Sequence, residues 1–238
     1  MLVLKNFRVC RIPTTNIDLH INFTWFIFLA VFFLSYLLTE GIVKALFVVG
    51  LLCGVYSIVV LHELGHCAAA SYYGYKTDSI ILFMFGGIAF IKDMENAART
   101  PIKEIVIALA GPMVNIFLAT VAFIAIGPVV IINNIGSVTN PDDYPWYLSA
   151  MSLFVVVNLV MAGFNLIPAF PLDGGRVLRG IIGFFCTFEK ASFAAGVVGI
   201  GAHLSLIIVG FTYGYFMLVI ISLLMIVESI STVMKYQP

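Results

Sequence analysis

A chain of 238 residues that is 62% hydrophobic and only 10% charged, with a mean hydropathy of +1.10, lies outside the range of water-soluble domains and reads as an integral membrane protein. Its formal net charge is zero, so no basic field points to nucleic acid as a partner. Cys10, Cys53, Cys67 and Cys186 are scattered without C-x-x-C spacing, which argues against a disulfide framework and against a cysteine-held metal.

Residues 1 to 20 form a short polar lead with Lys5, Arg8 and Arg11. These bases precede polar residues, and the first apolar run is too late and too long for the core of a cleaved signal. That run, Ile21 to Leu38, is long enough to span a bilayer. His20 and Asn22 stand at its entrance and read as interfacial, with metal ligation as the alternative for His20. Thr39 to Lys44 make a brief turn, and a second span runs from about Ala45 to Ala70. It ends in Tyr72, Tyr73, Gly74, Tyr75 and Lys76, a cluster suited to a membrane interface.

Inside the second span lie His62, Glu63, Leu64, Gly65 and His66, an H-E-x-x-H pattern. Helical residues four apart share one face, so both imidazoles can reach one metal ion while Glu63 stands beside it. Ionisable side chains at membrane depth are costly and usually functional, and a divalent cation is the simplest common partner for these three.

Ser79 to Phe90 is apolar but only twelve residues long, with Gly86 and Gly87 within it. It predicts a membrane-associated hairpin between the second and third helices, buried in protein or lining a watery cavity. The polar stretch Lys92 to Glu104 reads as a solvated loop entering a helix at Pro101. A third span, about Ile105 to Ile132, carries Gly111 and Pro112, which predict a kink. Asn115 follows one turn later, where a hydrogen bond to a neighbouring helix is its simplest use.

A loop from Asn133 to Pro145 holds Asp142 and Asp143, and a fourth span starts at Trp146 and Tyr147 and reaches Leu166. Asn165 to Arg176 then interrupts it with Pro168, Pro171, Gly174 and Gly175 before helix resumes toward Phe185. Spans over 191–210 and 215–234 complete the chain, with His203 and Glu228 each needing a partner. The fold class is therefore an all-α polytopic membrane protein: about six spans, one short β-hairpin and a broken fourth helix. The whole of 1–238 reads as one transmembrane domain with no PDZ or CBS domain evident.

Placing the N-terminus, the loop 72–104, the segment 176–190 and the C-terminus on one side puts eleven of the twelve Lys and Arg residues there, with Lys44 alone opposite. The positive-inside rule makes that side cytoplasmic. Both termini are then cytoplasmic in a multi-pass cell-membrane protein, and the metal motif lies toward that face.

A catalytic zinc takes three protein ligands and keeps one position open. Asp173 is the best third ligand, because about 1.5 Å of rise per residue brings it to a depth similar to that of His62 and His66. Pro171 and Gly174 are expected to turn its carboxylate. Asp142 and Asp143 lie on the wrong side, and Asp93 and Glu95 sit in a loop. With one zinc per chain, Glu63 would act as general base in peptide hydrolysis. Asn165 would either donate to the developing oxyanion or hold the unwound backbone, two readings that stand level. Ser79 to Phe90 is the candidate edge for pairing with an unwound peptide.

Three motifs closely resemble those of the site-2 protease family of intramembrane zinc metalloproteases, peptidase family M50. His62 to His66 matches its first motif, Ala110 to Asn115 resembles its third-helix signature, and Asn165 to Arg176 is similar to its second metal motif. The hairpin at Gly86 and Gly87 lies where the family has membrane-associated strands. The resemblance runs from the first span to at least Arg179. It implies zinc on His62, His66 and Asp173, Glu63 as base, and Asn165 near the scissile carbonyl. It also implies membrane-spanning protein substrates such as anti-sigma factors, pro-sigma factors, transcription factors or leftover signal peptides, with a regulatory membrane partner possible. The competing class is a non-catalytic metal-binding membrane protein or transporter. Transporters place broken helices at pseudo-symmetric positions, and no second broken helix is legible here.

Overall fold

The computed structural model describes residues 5–13, 15–84, 86–91, 100–127 and 146–237. The chain divides into two compact units, Met1–Ala97 and Ala98–Pro238.

The first unit holds strands β1 (Asn6–Arg11) and β2 (Asp18–Asn22), helices α1 (Phe23–Glu40) and α2 (Ile42–Tyr72), and strands β3 (Thr77–Phe83) and β4 (Gly86–Ile91). Asn22 closes β2 and caps α1, its side-chain oxygen accepting the Thr24 N–H at 3.1 Å. Gly41, at φ +88°, is the whole turn between the first two helices. The turn expected over Thr39 to Lys44 is thus one residue, because glycine alone adopts that backbone without strain.

The expected fold class holds, and the sheet is larger than the hairpin alone. The predicted hairpin is present as the antiparallel pair β3–β4, but it belongs to a four-stranded sheet in the order β1-β2-β3-β4. β2 runs parallel to β3, and β1 runs antiparallel to β2 with a bulge between Arg8 and Cys10. The polar lead is therefore largely strand. His20 is not at a helix entrance: it sits in β2 opposite Arg8 and Ile81.

The second unit holds α3 (Pro101–Ile126), α4 (Trp146–Asn165), α5 (Asp173–Ile182), α6 (Phe188–Tyr213) and α7 (Phe216–Lys235). Helix α3 continues through Pro112. Asn115 is fully buried on it and donates to Asn158 of α4 at 2.9 Å, the helix-to-helix bond expected for it. Glu104, expected in a solvated loop, is instead buried in the first turn of α3 and paired with Arg179 of α5. Helices α6 and α7 approach through small residues: a Cβ on Gly196 would stand 2.8 Å from Val233, and one on Gly210 would stand 2.6 Å from Val219. Close backbone approach at small residues is how helices associate where lipid supplies no hydrophobic drive.

Helices α1, α2, α3, α6 and α7 are long and apolar enough to cross a membrane, and α4 is apolar over Ala150–Asn165. Helix α1 buries none of its residues, and Leu38, Val43, Phe47, Phe117 and Ile124 face outward. Such surfaces suit lipid, and the chain is a multi-pass membrane protein. The expectations for Asp93 and Glu95, for Asp142 and Asp143, and for the end of the third span near Ile132 lie outside the described residues.

Candidate metal centre

Helix α2 brings two of the expected ligands together. His62 and His66 are 3% and 4% exposed, and their Nε2 atoms lie 3.1 Å apart with the rings nearly perpendicular. Two nitrogens bound at about 2.0–2.1 Å to one tetrahedral ion stand about 3.3 Å apart. The pair is therefore already at the spacing of two ligands on one metal. Imidazole nitrogens aimed at each other can share one proton, whereas a cation serves both lone pairs.

Glu63, half-buried on the same turn, meets β4. Its Oε2 accepts the backbone N–H of Ala89 at 3.1 Å. Among the described residues β4 is an edge of the sheet, and the carboxylate covers this N–H of it. Gly87 permits the approach: a Cβ there would stand 3.0 Å from Glu63 Cγ, 3.0 Å from Val59 Cγ1 and 3.4 Å from Leu82 Cδ2. The Tyr56 hydroxyl, two turns earlier on α2, lies 2.6 Å from the Met84 carbonyl and 3.0 Å from that of Phe83. It ties the turn of the hairpin to the same helix. Gly86, at φ +146°, has nothing within 4 Å of a Cβ position.

In the second unit, Asp173 is buried at the first position of α5. A carboxylate in the first turn lies among N–H groups that have no intrahelical partner. The break before it is compact. Leu172 N–H reaches the Ala169 carbonyl at 2.9 Å, and the Phe170–Pro171 peptide is cis. Gly174 serves a different end from the conformational freedom expected of it. Its φ is ordinary, but a Cβ would stand 2.3 Å from both the Leu166 and Ile167 carbonyl oxygens. Only glycine lets α5 start directly against the end of α4. Asn165, the last residue of α4, is half-buried, and its amide donates to the Met161 carbonyl at 3.0 Å.

Two histidines and a carboxylate form the donor set of a zinc site that keeps a position for water. Sequence reasoning missed Ala89, whose backbone N–H no residue pattern marks. It also missed Tyr56, which reads as one more apolar aromatic within a span.

Comparison with known proteins is consistent with this chemistry. The model of peptidase family M50 matches residues 50–141 and 126–208. A zinc metalloprotease of Methanocaldococcus jannaschii is 33% identical over 220 residues, covering 92% of this chain and 57% of that protein. Stage IV sporulation protein FB of Bacillus subtilis is 30% identical over 135 residues, 56% of this chain and 41% of that protein. The chain thus spans about half the length of these curated relatives. The solved structure of a site-2 protease from M. jannaschii superposes with a TM-score of 0.65 at 29% identity, covering 96% of this chain and 95% of that one. The matched motifs, the length of the shared sequence and the common fold establish that this chain belongs to peptidase family M50, the site-2 proteases.

Proposed function

We propose that the chain is an intramembrane zinc endopeptidase that cuts peptide bonds within or near the transmembrane segments of membrane-tethered regulatory proteins. The observation that carries this reading is the buried His62 and His66 pair at ligand spacing, with the Glu63 carboxylate held beside it. Asp173 is the third ligand of the proposed centre, on the strength of the second metal motif and the donor set that a catalytic zinc takes. When bound, zinc supplies a Lewis acid that makes water a nucleophile near neutral pH and polarises a carbonyl. Glu63, which is not a ligand, takes the water's proton on a carboxylate oxygen and delivers it to the leaving amine nitrogen. A carboxylate adjacent to the ligands has this use in a hydrolase and none in a site that merely holds zinc.

A peptide bond within a helix is shielded and already hydrogen-bonded, so a substrate must be extended before attack. The edge of β4, which pairs with no further strand among the described residues, supports pairing with such a strand. Glu63 occupies the Ala89 N–H on that edge, so an arriving strand that takes this N–H frees the carboxylate for the water. Asn165 spends one amide hydrogen on Met161 and keeps the other for the scissile carbonyl oxygen. The Lys and Arg distribution supports cytoplasmic termini and a centre toward the cytoplasmic face. The test is cleavage of a single-span substrate by the metal-loaded protein, with Asn165→Ala and Asn165→Asp as variants. Loss of rate with unchanged zinc supports the oxyanion role; wild-type rate in both assigns Asn165 to the backbone alone.

A further inference from the structure

The break between α4 and α5 has an anchorage that the hydrolytic chemistry does not use. At membrane depth a carbonyl outside regular helix must find a donor. The Phe170 carbonyl finds two, His203 Nε2 of α6 at 2.9 Å and the Ser229 hydroxyl of α7 at 2.9 Å. A carbonyl only accepts, so His203 carries its proton on Nε2. Its Nδ1 is buried and has no partner among the described residues. Helix α6 reaches the break because Gly199 has no side chain: a Cβ would stand 2.7 Å from Ser229 Oγ, 3.1 Å from Ala169 Cα and 3.3 Å from Phe170 N.

The Phe170 ring is held as well. The Arg179 guanidinium lies 5.0 Å from its centroid and 4.7 Å from that of Phe188, and the same guanidinium pairs with Glu104 of α3. Side chains of α3, α5, α6 and α7 thus converge on Phe170 or on the cation over it, three residues before Asp173. The path between has little slack, because Pro171 fixes one dihedral and the Leu172 N–H is bonded back to Ala169.

We infer that His203 and Ser229 are positioning residues for Asp173: by fixing the Phe170 carbonyl they set the depth and direction from which Asp173 presents its carboxylate to the metal. This rests on the reading of Asp173 as a metal ligand. It makes the last two helices part of the metal site without giving them a ligand. It also supplies the partner that His203 needs inside a span, leaving its orphan Nδ1 as the cost of that bond.

The test uses the full chain with His203→Leu, Ser229→Ala, the double variant and His203→Gln, whose amide N–H reaches where Nε2–H does. Zinc release to a chromophoric chelator and the visible spectrum of the Co2+-substituted protein are measured, neither of which requires substrate. Asn115→Leu, which breaks the α3–α4 bond instead, serves as a comparably destabilised control. Release should quicken several-fold in each single variant and about tenfold or more in the double. The Co2+ bands should change, and His203→Gln should recover most of the loss. Should the double variant fail to fold, Ser229→Ala, which removes one hydroxyl, carries the test. Wild-type release and spectra in Ser229→Ala and His203→Leu, or equal loss in Asn115→Leu, would overturn the positioning role. A wild-type protein that takes up neither zinc nor Co2+ would instead overturn the metal reading beneath it.

Discussion

Replacing Gly87 tests whether the β4 edge and Glu63 work as one device. A Cβ at this position meets Glu63 Cγ and Val59 Cγ1 at 3.0 Å, whereas carbon contacts are optimal at about 3.5–4.0 Å. The strand must therefore back away from α2 by roughly 0.5–1 Å for alanine, by that optimum contact range, and further for the two methyls of valine. Overpacking of this kind costs about 1–3 kcal/mol of stability. A misplacement of about 1 Å can cost on the order of a hundredfold in rate, equivalent to about 2.7 kcal/mol of barrier. Gly87→Ala should then lower kcat by about tenfold and Gly87→Val by about a hundredfold on that scale, with zinc content unchanged. The assay is single-turnover cleavage of a single-span substrate beside zinc analysis of the same preparations. Wild-type rates in both variants would refute the coupling. Loss of zinc together with activity would show that the hairpin only supports the fold.

Arg179→Met leaves Glu104 buried without its cation and should cost about 3–5 kcal/mol in thermal or denaturant unfolding; adding Glu104→Gln should restore much of it, and additive losses would contradict a mutual pair. Tyr56→Phe removes the hydroxyl at the β3–β4 turn and should loosen the hairpin by about 1 kcal/mol, read as faster amide exchange in 77–91 with little change elsewhere. Asp173→Ala should abolish stable zinc binding while the helical signal in circular dichroism persists. Full zinc retention would remove Asp173 from the ligand set.

The long apolar spans and the H-E-x-x-H turn are legible because length and spacing alone determine what they can do in lipid. The β3–β4 hairpin is legible for the same reason, as an apolar stretch too short to cross. The N-terminal strands are not: all six positions of β1 are exposed, so no alternation marks them, and the parallel partner of β2 lies some sixty residues further on. Glu104 reads as solvated because its neighbours in sequence are charged, while its actual partner is seventy-five positions away. Gly174 reads as a flexible point and proves to be a steric one, a distinction only the approach of Leu166 and Ile167 reveals. His203, by contrast, is conspicuous as an ionisable group within a span, but its partner is a main-chain carbonyl, which no residue pattern marks.

The most direct test of the account compares wild type with Glu63→Gln, measuring zinc per chain and cleavage of a single-span membrane substrate. Glutamine keeps the shape and a carbonyl oxygen but cannot take a proton from water, and loss of a general base costs about 10²–10⁴ in rate. About one zinc per chain is expected in both proteins, with cleavage by wild type alone. Equal cleavage by both would remove Glu63 from the chemistry, and zinc in both with no cleavage of several substrates by either would favour a binding or transport protein.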